Sequence, residues 1–252
     1  VVTPWAWPWL FGAGFAAGFV DAIAGGGGMI TVPVLMGVGL PPAEALATNK
    51  LQSTFGSGSA MWAYRRAALV GWDDAWPGVV STGVGAVVGV MAVTWLSPDI
   101  LRRVMPFLLV LAAVAVWRRP ALGDSERPPR VGRVPFLAGF GLVLGFYDGF
   151  FGPGTGTFWT LAFVVVQGFA LLRATAWTKW MNFTSNVVAL VAFVGTTRID
   201  WVAGLLMGVG QALGARLGAR AAIRGGSRLI RPVFLGVVVV AAVKLFWDGW
   251  FR

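Results

Sequence analysis

Four ionisable side chains stand inside long apolar stretches of this sequence: Asp21, Lys50, Asp148 and Lys179. An ionised group at the centre of a bilayer costs at least about 2.5–3.5 kcal/mol, so each needs a partner or a task. The two aspartates share a setting. Asp21 leads into Gly25-Gly26-Gly27-Gly28, and Asp148 leads into Gly149-Phe150-Phe151-Gly152-Pro153-Gly154-Thr155-Gly156. A run of glycines is costly inside a helix, by about 1 kcal/mol each against alanine, and Pro153 removes a donor as well. Both stretches therefore read as helix breaks, and each runs straight into a second, short apolar segment.

A helix that restarts after such a break presents free backbone N–H groups and the positive end of its dipole, an arrangement that favours anions. Gly27, Gly28 and Met29 would supply such donors at one break, and Gly154, Thr155 and Gly156 at the other. Lys50 and Lys179 would add positive charge. Thr48, Asn49, Asn182 and Asn186 carry the donors that could orient a ligand. Asp21 and Asp148 would hold the lysines or carry a coupling proton, with Asp148 favoured as proton carrier because Gly149 beside it leaves room for water. The structural alternative pairs Asp21 with Lys50 and Asp148 with Lys179, tying each broken segment to the polar segment of its own half. On that alternative the glycines serve only close helix packing.

The composition sets the solvent. The chain has 252 residues, 57% of them hydrophobic, with mean hydropathy +0.76, and its apolar runs approach the ~20 residues a spanning helix needs. It reads as an all-α polytopic membrane protein whose partners are the lipid bilayer and a small anion. Cysteine and histidine are both absent, which removes disulfides, thiol nucleophiles, histidine triads and the usual zinc sites. No metal site, catalytic residue or cofactor is expected, and no phosphate-loop or dinucleotide glycine pattern occurs. The net charge of +10 lies mostly in loop arginines, as the positive-inside rule produces, so nucleic acid is not an expected partner. The amino end lacks a basic n-region, so no cleavable signal is expected.

The segments that must position these residues repeat. Trp5 to Ala24, Met29 to Gly39, Ala43 to Tyr64, Trp72 to Leu96 and Ile100 to Trp117 make up the first half. Val134 to Phe151, Thr157 to Ala170, Ala174 to Thr196, Trp201 to Ile223 and Pro232 to Trp250 make up the second. Asp21 corresponds to Asp148, Lys50 to Lys179, and Arg102 with Pro106 to Arg228 with Pro232. The expected domains are a membrane repeat over 1–117, a basic cytoplasmic linker over 118–133, and a second repeat over 134–252. Each repeat is a broken-helix hairpin plus three transmembrane helices. With the Arg118–Arg133 linker inside, Arg65, Arg66, Arg173, Arg216, Arg220, Arg224, Arg228 and Arg231 also fall inside. The halves then have inverted topology, both termini face out, and paired breaks mark a transporter's binding site. Among the other residues, Trp159, Trp177 and Trp180 read as packing, Asp73, Asp74, Asp99 and Asp200 as solvated or capping, and Gly210, Gly214 and Gly218 as a packing seam. A homodimer is allowed and not required.

At these residues the sequence resembles the sulfite exporter TauE/SafE family of bacterial membrane transporters. The resemblance rests on Asp21 with Gly25-Gly26-Gly27-Gly28, Val32-Pro33, Gly39-Leu40-Pro41-Pro42, Ala47-Thr48-Asn49-Lys50-Leu51, Asp148 to Gly156, and Thr178-Lys179 with Asn182 and Asn186. It covers nearly the whole chain and implies transport of a sulfur-containing anion, sulfite or an organosulfonate, across the inner membrane. The four-glycine run of the first half replaces the family's Asp-Gly-Phe-Phe-Gly-Pro-Gly form with a looser break. The rival readings are an anion channel and a non-transporting membrane enzyme or assembly subunit. On the inverted-repeat reading, a cysteine introduced at Thr197 labels from outside the cell and one at Ser125 only from inside. Equal accessibility of the two to an impermeant thiol reagent removes that topology.

Overall fold

The computed structural model describes residues 4–95, 123 and 125–251. Every regular element among them is helical. A 3-10 turn over Pro4–Ala6 leads into α1 (Trp7–Ala24), followed by α2 (Gly27–Gly37), α3 (Pro42–Arg66) and α4 (Trp72–Trp95). The second half holds α5 (Arg133–Phe150), α6 (Thr155–Val165), α7 (Leu171–Val194) and α8 (Trp201–Phe251), the last kinked at Gly226. The expected span Ile100–Trp117, the Arg102/Pro106 correspondence and Asp99 lie outside the described residues.

Each broken segment resolves into two helices, α1 with α2 and α5 with α6. The short helices begin two residues earlier than the hydropathy suggested, because the last glycines of each break enter the helix. Gly26 and Gly154 precede them in left-handed conformation, φ 105° and φ 88°, which glycine alone adopts at little cost. α6 also ends at Val165 rather than Ala170. Residues 166–171 instead carry bonds to the basic linker. Arg127 and Arg130 donate backbone N–H bonds to the carbonyls of Gly168 and Val166 at 2.8 and 2.9 Å, and Leu171 donates to Gly123 at 2.9 Å. Both carboxylate oxygens of Glu126 accept from one guanidinium nitrogen of Arg173, each at 3.1 Å. The described part of the linker is thus strapped to the second half rather than hanging free.

Among the described residues, three helical stretches are long and apolar enough to cross a membrane: Pro4–Ala24, Trp72–Trp95 and Trp201–Val233. α3 and α7 are of spanning length at 25 and 24 residues, but both are polar. Thr48, Asn49, Lys50 and Gln52 on α3, and Thr178, Lys179, Asn182 and Ser185 on α7, are all buried. Those polar residues face protein rather than lipid, which is where a membrane protein tolerates them. α3 and α7 pack on each other at the centre of the molecule.

The outer pairings are exchanged between the halves. α1, the first helix of one half, lies along α8 of the other, and α5 lies along α4. Glycines bring both pairs into backbone contact. A methyl group added at Gly14 or Gly18 would overlap the carbonyls of Met207 or Gln211, and one at Gly210, Gly214 or Gly218 those of Phe11, Phe15 or Phe19. On the other pair, Gly85 and Gly89 meet the backbone of α5, while Gly145 and Gly149 meet the carbonyls of Thr82 and Ala86. The expected seam at Gly210, Gly214 and Gly218 is therefore present, and a second one joins α4 to α5. Close approach of this kind is what packs helices where lipid removes the hydrophobic drive. In the main core cluster, which also takes in Trp180, Trp159 stacks on Phe163 and meets Phe136 edge-on, and Trp177 lies tilted against Phe163 and Phe169.

These seams give one substitution two opposite outcomes. Gly145→Ala and Gly214→Ala are expected to lower thermal stability in detergent, by the roughly 1–3 kcal/mol of overpacking. Gly12→Ala and Gly139→Ala, where a methyl meets nothing within 4 Å, are expected to be neutral or stabilising by up to about 1 kcal/mol. Equal melting temperatures in all four variants would remove the seam.

Candidate functional site

The two breaks touch. A methyl at Gly25 would lie 2.6 Å from the backbone of Gly156 and Thr157, and one at Gly28 would lie 3.2 Å from Pro153. The Thr157 hydroxyl donates to the Ala24 carbonyl at 3.4 Å. The N-termini of α2 and α6 therefore converge, and the polar faces of α3 and α7 close over them.

Both aspartates reach across the molecule for their lysines. Lys50 Nζ on α3 lies 2.7 Å from Asp148 Oδ1 on α5, and Lys179 Nζ on α7 lies 2.9 Å from Asp21 Oδ2 on α1. This corrects the expected pairing of Asp21 with Lys50 and Asp148 with Lys179: each pair joins the two halves rather than tying one half to itself. The reason is the exchanged packing, which sets the α3 and α7 faces against the opposite half's break. The pairs are buried, with side-chain exposures of 1% and 6% for Lys50 and Asp148 and of 0% and 15% for Lys179 and Asp21.

Desolvating four charges costs several kcal/mol per ion, offset only where the remaining lone pairs and protons also find partners. Asp148 has such a set. Thr155 Oγ1 donates to Oδ1 at 3.1 Å, and the Ser185 hydroxyl makes a short bond to Oδ2. Asp21 Oδ1 accepts the Gly27 N–H at 3.0 Å, so this carboxylate caps α2 across its break. Lys50 also approaches Asn186 Oδ1 at 3.4 Å. The short helices are tied to the long polar ones in matching fashion. Thr31 Oγ1 lies 2.6 Å from Asn49 Oδ1, and Thr160 Oγ1 lies 3.1 Å from Thr178 Oγ1.

Between the breaks lies a polar cavity of about 30 Å³. Of the expected ligand-binding residues, Gly28, Asn49, Gly154, Thr155, Asn182 and Asn186 line it. Asp21 and Asp148 line it too, and the two lysines stand behind them. Gly27 does not line it, because its N–H is taken by Asp21. The Thr155 N–H is likewise taken, by the Gly152 carbonyl at 3.1 Å. Thr48 faces away and accepts the backbone N–H of Asp200 at 3.0 Å, while Asp200 caps α8 through Ala203. Nor does Gly149 leave space for water beside Asp148, since its open side is filled by the Ala86 carbonyl of α4.

Sequence reasoning passed over Ser53, one turn beyond Asn49 on the same face of α3 and lining the cavity, and Ser185, one turn beyond Asn182 on α7 and bonded to Asp148. Helical spacing from the neighbouring asparagines would have found Ser53. Asn182 Oδ1 is buried without a hydrogen-bond partner, which is unusual in a native structure and marks a position where a donor is wanted. None of Trp159, Trp177 and Trp180 reaches the cavity.

Broken helices meeting at a polar cavity, flanked by buried charge pairs in an otherwise apolar helical chain, define a membrane transporter. Comparison with known proteins agrees. The family model for the sulfite exporter TauE/SafE matches residues 10–245, and the chain belongs to that family. It is 45% identical to a probable membrane transporter protein, ORF9, of Sinorhizobium sp, over 95% of this chain and 92% of that protein. It is 42% identical to the probable membrane transporter protein YfcA of Escherichia coli strain K12, over 95% and 89%. It is 41% identical to a probable membrane transporter protein of Haemophilus influenzae, over 96% of both chains. No solved structure matches the chain at a significant level.

The crossed pairs have a measurable signature. Lys50→Met or Asp148→Asn alone strands a buried partner and is expected to cost about 3–5 kcal/mol of stability, whereas the double variant recovers much of that loss. Lys50→Met combined with Asp21→Asn is expected to show losses that add. Unfolding of the solubilised variants in a double-mutant cycle measures this. Coupling of Lys50 to Asp21 instead would restore pairing within each half.

Proposed function

We propose that this chain is a secondary transporter that carries a small sulfur-containing oxyanion, of the sulfite or organosulfonate class, across the bacterial inner membrane. The observation that carries the reading is the contact between the two breaks at a cavity where both buried lysines are held by aspartates. Gly28, Gly154, Asn49, Asn182 and Asn186 are the donors offered to the anion, and Thr155, whose own donors are engaged by Gly152 and Asp148, holds the break in place beside them. Lys50 and Lys179 supply charge once an anion oxygen displaces a carboxylate oxygen from each ammonium.

A water needs roughly 10–15 Å³ of probe-occupied volume, so 30 Å³ holds about two waters and no oxyanion with its donors. Binding requires the breaks to part, and parting them loosens contacts between the halves. The order of the segments reads as two inverted repeats, 1–117 and 134–252, joined by the 118–133 linker, and the bodies that rock about this point are the glycine-seamed pairs α1–α8 and α4–α5, each drawn from both repeats. Both termini face outward in that arrangement. The four site charges cancel, so an arriving anion leaves one negative charge in excess. Asp21 has the more exposed side chain of the two aspartates and fewer donors, and it is the carboxylate we assign to proton exchange. Export of an anion from a negative interior gains about 2.3 kcal/mol per charge per 100 mV and needs no coupling; uptake needs the proton.

Lys50→Ala and Lys179→Ala are expected to insert normally yet lose the thermal stabilisation that sulfite or a sulfonate gives the wild type, with sulfate and thiosulfate as comparison ligands. In proteoliposomes, wild-type flux is expected to saturate and to show counterflow, and Asp21→Asn to remove its dependence on an imposed pH gradient. Wild-type affinity in both lysine variants would displace the site, and flux without saturation or counterflow would make the chain a channel.

A further inference from the structure

α3 and α8 are stitched together every four residues. Leu51 packs on Gly204 and Phe55 on Gly208, and Ser59 Oγ donates to the Ala212 carbonyl at 2.9 Å. One turn further the seam opens into a cavity of about 180 Å³, lined by Ser59, Trp62, Arg66, Arg216, Arg220 and Ile223. It lies outside the transport cavity and shares no residue with it.

The charge on this cavity is unbalanced. Among the described residues, the ion pairs occupy Lys50, Arg133, Arg173 and Lys179, and none involves Arg65, Arg66, Arg216 or Arg220. No acidic residue lines the cavity. The guanidinium groups of Arg65 and Arg66 lie 5.6 and 5.8 Å from the Trp62 ring centroid, which groups them around an aromatic ring without neutralising them. Arginine presents planar, two-pronged donors suited to a phosphate.

The surface beside the arginines is apolar. Phe55 lies on the Trp62 face of α3, and Leu213 and Leu217 lie on the Arg216–Arg220 face of α8. Their exposures are 39%, 49% and 47%. A cationic pocket between two helices therefore stands beside an exposed apolar surface of the same helices. A soluble anion would use only the pocket, whereas an amphipathic anion would use both. Basic pockets between membrane helices bind phospholipid headgroups by this division. We propose that the cavity binds the phosphate of an anionic membrane phospholipid, held by Arg66, Arg216 and Arg220, with its acyl chains along Phe55, Leu213 and Leu217.

The test uses the full chain, purified and exchanged into mixed micelles with phosphatidylglycerol or phosphatidylcholine, with retained lipid counted by native mass spectrometry. Wild type is expected to retain phosphatidylglycerol preferentially, and each arginine removed by R216Q or R220Q to reduce that retention about fivefold. R198Q, at an exposed arginine elsewhere, is expected to retain it as wild type does. Inorganic phosphate in excess is expected not to displace the lipid. Displacement by phosphate would make this a soluble-anion site, and equal retention in R216Q and R220Q, or equal loss in R198Q, would make the lipid merely annular; each result overturns the proposal. If a combined R216Q/R220Q variant does not fold, the single variants decide by the same criteria.

Discussion

Two inward-facing carboxylates, Asp148 buried and Asp21 half-buried, each holding a buried lysine from the opposite half of the chain, are the constraint around which this molecule is arranged. Charges so deeply buried persist only with partners at hydrogen-bonding distance. Asp148 meets that condition with Lys50, Thr155 and Ser185, and Asp21 with Lys179 and the Gly27 N–H. To bring these groups together, α3 and α7 must cross the centre with their polar faces inward, and α1 and α5 must end at the same depth. The glycine breaks, the short helices and the exchanged packing of α1 on α8 and α5 on α4 all serve that placement.

The same constraint links stability to function. Backbone groups freed at a break need partners within the protein or in a wet cavity. Here they are found in a neighbouring carboxylate, a glycine carbonyl and a small polar space. That space is where a transported anion is expected to compete with Asp21 and Asp148. On the proposed function, one site would both hold the fold together and bind the cargo, so that the closed state depends on what occupies it. This is the behaviour needed of a carrier that must open to either side.

The rigid parts and the yielding parts differ in their packing. Along α1–α8 and α4–α5, glycines place backbone against backbone, so small relative shifts meet hard contacts. At the breaks the contacts are fewer and polar, held by Thr31, Asn49, Thr160 and Thr178. We infer that movement concentrates at the breaks while the glycine seams travel as units. The described part of the linker is bonded to residues 166–171.

Much of this was legible in the sequence, for physical reasons. Mean hydropathy fixes the solvent, and four charges in apolar runs announce a site because lipid does not tolerate them idle. Clustered glycines after an aspartate announce a break, because glycine is costly in a helix and cheap at positive φ. The duplicated order of these signals located Asn49, Thr155, Asn182 and Asn186, all of which line the cavity. What one-dimensional spacing could not decide was the partner of each charge. Asp21 is far closer in sequence to Lys50 than to Lys179, yet it binds Lys179, because ion pairing follows which helix faces are brought together. The same holds for Thr48, turned to Asp200 by the direction of its face, and for Gly149, whose open side is filled by α4. Residue type and order marked which side chains could serve a site; only the packing of the two halves decided who holds whom.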